Sequence, residues 1–455
     1  MSGPSLRLKG ILAPEEYSLD AREREKRSGD KWFATHLPDA VALPRSTASV
    51  ARLLSYCSRH RIPVTPRGAG FGYVGGCVPV RGGVALSLER MNRILEINPA
   101  DFVVVTEPGV ILKTLQDAVE KRRLFYPPDP ASRADCSVGG TIATNAGGPR
   151  CLKYGVTRDY VLGLKVALAD GSVAVLGGRT HKNKTGFDLT RLFVGSEGLL
   201  GVATEITLKL LPLPPYRALL VAGFDSMRLA ARAMSAIFAA GFLPSALEVA
   251  DQFTLEAAAK RTGNRRLAAS RALLIVEVDG QEKSARGEAA DLARLLRSRS
   301  ARFVQKGLGN AACEKLWGLR REFSFSLRDT GLIKLNEDIV VPRGRLEDLF
   351  RFTAALQKKF ALPVACFGHA GDGNIHVNIM YDRAWPHVEA RSEAALDELF
   401  HTVLSWGGVI TGEHGIGLAK KRWWPAATTL ETRDLHRKIK AALDPSAILN
   451  PGKFV

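Results

Sequence analysis

Residues Pro66–Gly76 read PRGAGFGYVGG, and the reading of this run decides the fold. Gly70-Phe71-Gly72-Tyr73-Val74-Gly75 matches the GxGxxG spacing of a dinucleotide-binding turn. Such a turn must lead into a helix whose N-terminus meets the pyrophosphate. Here Pro79, Gly82 and Gly83 follow, and then VALSL, which reads as a strand. Upstream, residues 47–60 have helical patterning and IPVTP reads as a short strand. The run is therefore a wide glycine loop between strands, not a Rossmann turn. Residues without side chains in such a loop let successive backbone N–H groups approach a diphosphate, and Arg67 adds charge.

Two further clusters share this character. SVGGTIATNAGGPR covers 137–150 with four glycines, and FVGSEGLLGVATEITLKLLP covers 193–212. Any one of the three could be turn glycine alone. Together they describe an extended nucleotide threaded between loops.

A chain of 455 residues calls for about two or three domains. Hydrophobic residues at 46% and charged residues at 24% place it among globular proteins, without repeats or low-complexity blocks. Its longest apolar run, AMSAIFAAGFL at 233–243, falls short of the roughly 20 residues that span a bilayer. MSGPSLRLKGILAPEEYSLD lacks the apolar core and cleavage site of a secretory signal. The expected compartment is the cytoplasm, with peripheral association at a membrane left open. Six cysteines without a CxxC pair argue against an iron–sulfur cluster and for reduced thiols. Lys plus Arg exceed Asp plus Glu by 64 to 46, which favours anionic partners or acidic substrates. No nucleic-acid motif accompanies the charge, and REREKR at 22–27 reads as a solvated helix face, so no nucleic-acid partner is expected.

The second half carries the titratable constellation. GHAGDGNIH at 368–376 sets His369 and His376 about a Gly-Asp-Gly turn, and Ile375, Val377 and Ile379 alternate with His376 and Asn378. A strand would then place His376 and Asn378 on one face. GGVITGEHGIG at 407–417 presents Glu413 and His414 side by side. Two histidines and a carboxylate make an open site for a divalent cation, zinc being one candidate. Neighbours in an extended loop point apart, so one of Glu413 and His414 could ligate while the other faces a substrate. A helix over 311–328 would carry Arg320 and Ser324 one turn apart, with Lys334 opening the next strand, a grouping that suits a carboxylate. PLPPYR at 212–217 is the expected boundary between two domains. Beyond it we expect helices at 226–240, 281–297, 345–359 and 388–406, and strands ALLIVEV, KLNEDIVV, PVACFGH and NIHVNIM. A metal-dependent hydrolase or a basic binding module would each leave the three glycine loops unexplained.

The motifs PRGAGFGYVGG, YPPDPAS, SVGGTIATNAGG, KYGVTRDYVLGLKVALADG, TGFDLTRLFVGSEGLLGVATEITLKL, GHAGDGNIHVNI, TGEHGIG and ILNPGKF occur in order over nearly the whole chain. They resemble flavoproteins of the vanillyl-alcohol oxidase and p-cresol methylhydroxylase (PCMH) type, in the D-2-hydroxyacid dehydrogenase and glycolate oxidase large-subunit branch. Ala69 and Phe71 depart from the glycine and small hydroxyl residue usual there. The resemblance implies an α+β fold with a PCMH-type FAD-binding domain at 1–213, an antiparallel-sheet substrate domain at 214–411, and a C-terminal segment at 412–455 that returns to the first. It implies FAD contacts by Arg67, Gly68, Gly70, Gly72, Gly75, Gly76, Pro127, Asp129, Ser132, Gly139, Gly140, Thr144, Gly147, Gly201, Val202, Ile206 and Asn450. The FAD would be noncovalent, since residues 66–76 contain no histidine. Arg320, Ser324 and Lys334 would hold the substrate's 1-carboxylate, with Asn378 beside them. His369, His376 and Glu413 would hold the metal, and His414 would be the base. The implied reaction oxidises a D-2-hydroxy acid of the lactate, glycolate or 2-hydroxyglutarate type to the 2-oxo acid. Hydride goes to flavin N5, and electrons pass on to an external quinone, electron-transfer flavoprotein or partner subunit. A homo-oligomer is expected.

Overall fold

The computed structural model describes residues 7–455; residues 1–6, the start of the stretch read above for a secretory signal, lie outside the described residues. The chain sorts into two units. The first takes the chain up to Gly147, then Val156–Leu213 and Glu413–Val455; the second takes Gly148–Gly155 and Pro214–Gly412.

In the first unit the Thr47–His60 helix starts at Ser46, whose hydroxyl accepts from the Ser49 N–H, and stops at Arg61 in the left-handed region at φ 52°. Its buried Val50, Leu53, Leu54 and Cys57 meet Ala40, Val64, Val84 and Leu86 and the C-terminal Ile448 and Leu449. Full burial of each such aliphatic side chain contributes about 1.5–3 kcal/mol, which is what seats this helix. The sheet beneath orders Tyr17–Ser18, Ala40–Ala42, Val84–Ser87 and Val64–Arg67, the last three parallel. Val64–Arg67 runs into the glycine loop and the next element is the strand Val84–Ser87, so no helix follows the loop. A second, antiparallel sheet orders Ile94–Asn98, Val103–Thr106, Val202–Lys209, Val161–Ala167 and Val173–Gly177.

The second unit is built on one seven-stranded sheet, antiparallel at every pairing. Its order is Phe303–Leu308, Tyr216–Phe224, Ala272–Gly280, Ala246–Asp251, Val364–His369, Asn374–Tyr381, Ile333–Val340. Helices Gln252–Thr262 and Asn310–Arg328 pack on one face through Leu255, Ala258, Cys313, Trp317, Phe323 and Leu327. The fold is α+β with an antiparallel second domain, as the resemblance implies. Among the described residues no helix is long and apolar enough to cross a membrane.

Candidate active site

Strands Val364–His369 and Asn374–Tyr381 form a hairpin in which His369 faces Asn374 and Phe367 faces His376. That register puts both histidines on one face, with ring centroids 5.5 Å apart and planes at 80°. Ile375, Val377 and Ile379 take the opposite face and are fully buried. The turn needs glycine at 373, where φ is 87° and a β-carbon would lie 2.1 Å from the Val341 carbonyl oxygen.

The sequence reading missed the residue that orients this pair. Glu248 stands on Ala246–Asp251, the neighbouring strand, fully buried. His369 Nδ1 meets Glu248 Oε1 at 2.6 Å, and Arg320 Nε donates to Glu248 Oε2 at 2.5 Å. Burial alone would raise the Glu248 pKa; the adjacent His369 and Arg320 outweigh it and hold the carboxyl down to about 2. A carboxylate on Nδ1 fixes the imidazole so that Nε2 is the atom offered to a metal, an arrangement common among metal-binding histidines. The residues present therefore fit a divalent cation. The only sequence signal for Glu248 is a lone carboxylate in the apolar run SALEVA.

Arg320 and Ser324 lie one turn apart on the Asn310–Arg328 helix, on the side that also buries Cys313, Trp317 and Leu327. Arg320 stacks over Phe367 at 4.8 Å besides its bond to Glu248, so one edge of the guanidinium is already committed. Lys334 Nζ donates to Ser324 Oγ at 2.9 Å. Burial, then the nearby Arg328 charge, bring the Lys334 pKa down to about 8. Asn378 gives both N–H groups to the carbonyls of Ala365 (3.0 Å) and His376 (3.1 Å), and its buried Oδ1 has no partner among the described residues. Directly across the strands stands Asn336, whose Oδ1 is likewise buried and without a partner among the described residues. Asp338, opposite His376, accepts from Asn374 Nδ2 (2.7 Å), Thr411 Oγ1 (3.0 Å) and the Gly412 N–H (2.9 Å). It pins Thr411-Gly412 to this sheet, and the chain enters the first unit at the next residue, Glu413.

In the first unit the three glycine clusters touch. Ser137 Oγ accepts from Ala69 N (3.2 Å) and Gly140 N (3.3 Å), and the amides of Gly195 and Glu197 donate to the carbonyls of Ile142 and Ala143. The glycines divide by what a β-carbon would meet. At Gly68 it would come within 2.5 Å of Ser137 Oγ, at Gly139 within 2.6 Å of Pro108 Cβ, at Gly75 within 2.8 Å of Trp32, and at Gly201 within 2.6 Å of Val166. At Gly70 it would strike the Arg67 guanidinium, which donates to the Gly29 carbonyl at 2.5 Å and folds over its own loop. Those glycines serve the protein's own packing. Gly76 and Gly140 stay more open, with nothing nearer than 3.9 Å and 3.4 Å, whereas at Gly72 a β-carbon would meet the Asp30 carboxylate at 3.2 Å. An open cradle of this kind fits a diphosphate.

Thr144 closes the Val138–Thr144 helix by bonding the Gly140 carbonyl. Pro127, Asp129 and Ser132 lie in the loop after Leu124–Phe125, where Gln116 holds the carbonyls of Tyr126 and Pro128. Gly147 is the last residue before the chain leaves this unit. Val202 packs among the core residues of the Thr47–His60 helix, and Ile206, on the same strand, is fully buried. Asn450, at φ 46°, donates from Nδ2 to the carbonyls of Gly76 (2.9 Å) and Glu197 (2.8 Å), which ties the C-terminal segment to two loops. His414 lies against Tyr73 of the first glycine loop, with ring centroids 5.3 Å apart. Two residues on, Ile416 and Gly417 donate their N–H groups to the half-buried Glu197 carboxylate at 2.7 and 2.9 Å.

Two family models match the chain: an FAD binding domain over residues 38–177, and the C-terminal domain of FAD linked oxidases over residues 213–454. The chain belongs to the FAD-linked oxidases. It is a flavoprotein oxidoreductase, and its relatives name the branch. Over 92% of this chain and 89% of the relative, it is 39% identical to the glycolate oxidase subunit GlcD of Bacillus subtilis (strain 168). Over 92% and 89% it is 32% identical to a D-lactate dehydrogenase of Anaerostipes hadrus. p-Cresol methylhydroxylase shares the fold, with a TM-score of 0.80 and 18% identity over 98% of this chain and 95% of that one.

Proposed function

We propose that this FAD-linked oxidase converts a D-2-hydroxy acid to the 2-oxo acid, with Lys334, Ser324 and Arg320 engaging the carboxylate and His414 taking the hydroxyl proton. The names of the relatives, glycolate oxidase subunit and D-lactate dehydrogenase, support the substrate class. The observation that carries the proposal is the single sheet face joining a histidine pair, the carboxylate that orients it, and a lysine whose half-buried ammonium has no carboxylate partner among the described residues.

Noncovalent FAD would supply the hydride acceptor, and a divalent cation, zinc being a candidate, would supply Lewis acidity at His369, His376 and Glu413. The chain's own groups do the rest. Lys334 places a point charge against one end of the substrate, and Ser324 Oγ fixes the ammonium's direction. Arg320 contributes its free edge while Glu248 restrains the other. Asn378 Oδ1 is an acceptor for a substrate O–H. His414, on the loop beside Tyr73, would be the base. Electrons leave to an acceptor outside this chain, a reading favoured by the relative that is itself named a subunit.

The test is dye reduction by purified yellow protein with glycolate, D- and L-lactate, D-2-hydroxyglutarate and the corresponding methyl esters. Acids of the D series should turn over, and acid treatment should release intact FAD. Esters turning over as fast as acids would remove the carboxylate from the proposal.

A further inference from the structure

The stretch Gly148–Gly155, GPRCLKYG, interrupts the first unit: the chain on either side belongs there, while the stretch itself packs with the second. It holds a short helix, Cys151–Tyr154, closed by Gly155 at φ 82°. Three of its side chains reach the strand Ala272–Gly280. Arg150 Nε points at Glu277 Oε1 (3.4 Å). Lys153 Nζ donates to the Asp279 carboxylate (2.5 Å), and the Tyr154 hydroxyl donates to the other carboxylate oxygen (2.8 Å). Glu277 is fully buried and also accepts from Trp317 Nε1 at 2.6 Å and Ser245 Oγ at 3.2 Å. Removing one partner from such a network strands a charge away from water, so the network fixes the stretch firmly.

Leu152 shows what is being held. It lies on Gly371, in the turn between His369 and His376, where a β-carbon would come within 2.5 Å of Leu152 Cδ2 and 3.2 Å of its Cβ. The Gly371 N–H donates to the Leu247 carbonyl at 3.0 Å, one residue before Glu248. The hairpin ladder ends at His369 and Asn374, and these two grips hold the turn beyond it together with the Val341 N–H on the Gly373 carbonyl (3.1 Å) and the Asp372 N–H on the His369 carbonyl (3.3 Å).

We propose that Gly148–Gly155 is a positioning strap for the histidine pair. Arg150, Lys153 and Tyr154 anchor it to Glu277 and Asp279, and Leu152 presses the Gly371 turn so that His369 and His376 keep the spacing a metal ion requires. The consequence for metal rests on the function proposed above; the strap itself rests on the packing of the second unit.

The test uses full-length holoenzyme carrying Leu152→Ala, which leaves the ion network in place, and Leu152→Met, which restores bulk. Hydrogen exchange of the 370–374 amides is followed by mass spectrometry. Loss of cobalt(II), loaded as the divalent probe, to a chelator is followed by its ligand-field absorption. Leu152→Ala should speed cobalt loss by about 10- to 100-fold, the range seen when support around metal ligands is removed, and speed turn exchange with it. FAD content and Tm should be unchanged, and Leu152→Met should restore both rates. Asp279→Asn should act in the same direction, and combined with Leu152→Ala should add little. Unchanged turn exchange in Leu152→Ala overturns the strap. Faster exchange with unchanged cobalt loss overturns its positioning role. Should the wild type take up no cobalt, the metal reading fails, and the exchange of the turn alone decides the strap.

Discussion

The glycine loops of the first unit and the histidine hairpin of the second do their work with different parts of the chain. The hairpin presents side chains at period two from a rigid ladder, so each residue's identity states its chemistry. The loops present backbone, and a glycine there answers two demands that look alike in sequence: close packing of one loop on another, and open approach for a ligand. Gly68, Gly70, Gly75, Gly139 and Gly201 meet the first, whereas Gly76 and Gly140 leave room for the second. A glycine count therefore overstates the ligand surface, while the hairpin understates its own, because Glu248 comes from a strand 121 residues away from His369.

The largest expected effect sets one histidine from each region against the other. His414→Asn should lower turnover by about 10²- to 10⁴-fold, the range for a lost general base, while FAD and metal content hold. His376→Ala should lose metal as well, by elemental analysis of the purified protein. Equal metal loss in the two variants would mean that ligand and base have been exchanged.

Glu248 offers the next contrast, because it holds two side chains, whereas Glu197 among the loops holds backbone N–H groups. Glu248→Ala leaves the Arg320 charge buried beside Phe367 without its carboxylate and frees the His369 ring. The cost should be about 3–5 kcal/mol in urea unfolding of the second unit, with metal affinity down by about 10- to 100-fold. Flavin retention should be untouched. Loss of flavin together with metal would break the division drawn between the two regions.

Within the loops the same division predicts opposite behaviour for two alanines. Gly139→Ala forces a methyl to within 2.6 Å of Pro108 and should cost about 1–3 kcal/mol of stability. Gly76→Ala meets nothing closer than 3.9 Å and should leave Tm alone while weakening FAD retention on gel filtration. If both variants lose stability alike, openness does not mark the ligand face.

Much of this organisation can be read in the sequence, for reasons that also explain what cannot. The helices at Thr47–His60, Asn310–Arg328 and Val388–Ser405 carry apolar periodicity, and the first adds its serine cap. The His376–Asn378 alternation is visible because only one strand face is apolar there. Tyr216–Phe224 and Ala246–Asp251 escape notice, since they are apolar runs without alternation and carry only one β-branched residue each, whereas Ile275, Val276 and Val278 mark the equally buried Ala272–Gly280 as a strand. Glu248, Asn336 and Asp338 share the histidine face only through strand register, which no local pattern records. Nothing in the composition of GPRCLKYG announces that it packs with the second unit.

The smallest expected effect separates the two cations of that face. Burial and the Arg328 charge lower the Lys334 pKa from 10.5 to about 8, whereas a guanidinium stays charged throughout. Lys334 is therefore protonated below pH 8 and neutral above it, and a 2-hydroxy acid is an anion on both sides. Substrate attraction that depends on this ammonium is complete at lower pH and lost as pH rises through about 8. KM for the acid should then climb by up to about tenfold per pH unit above that point, while kcat at saturation changes less. Lys334→Arg should flatten the KM profile, because its charge persists, and a methyl ester turned over slowly should show no such rise with either protein. A wild-type KM that stays level well above the Lys334 pKa would shift the anchoring role to Arg320, whose charge is already shared with Glu248.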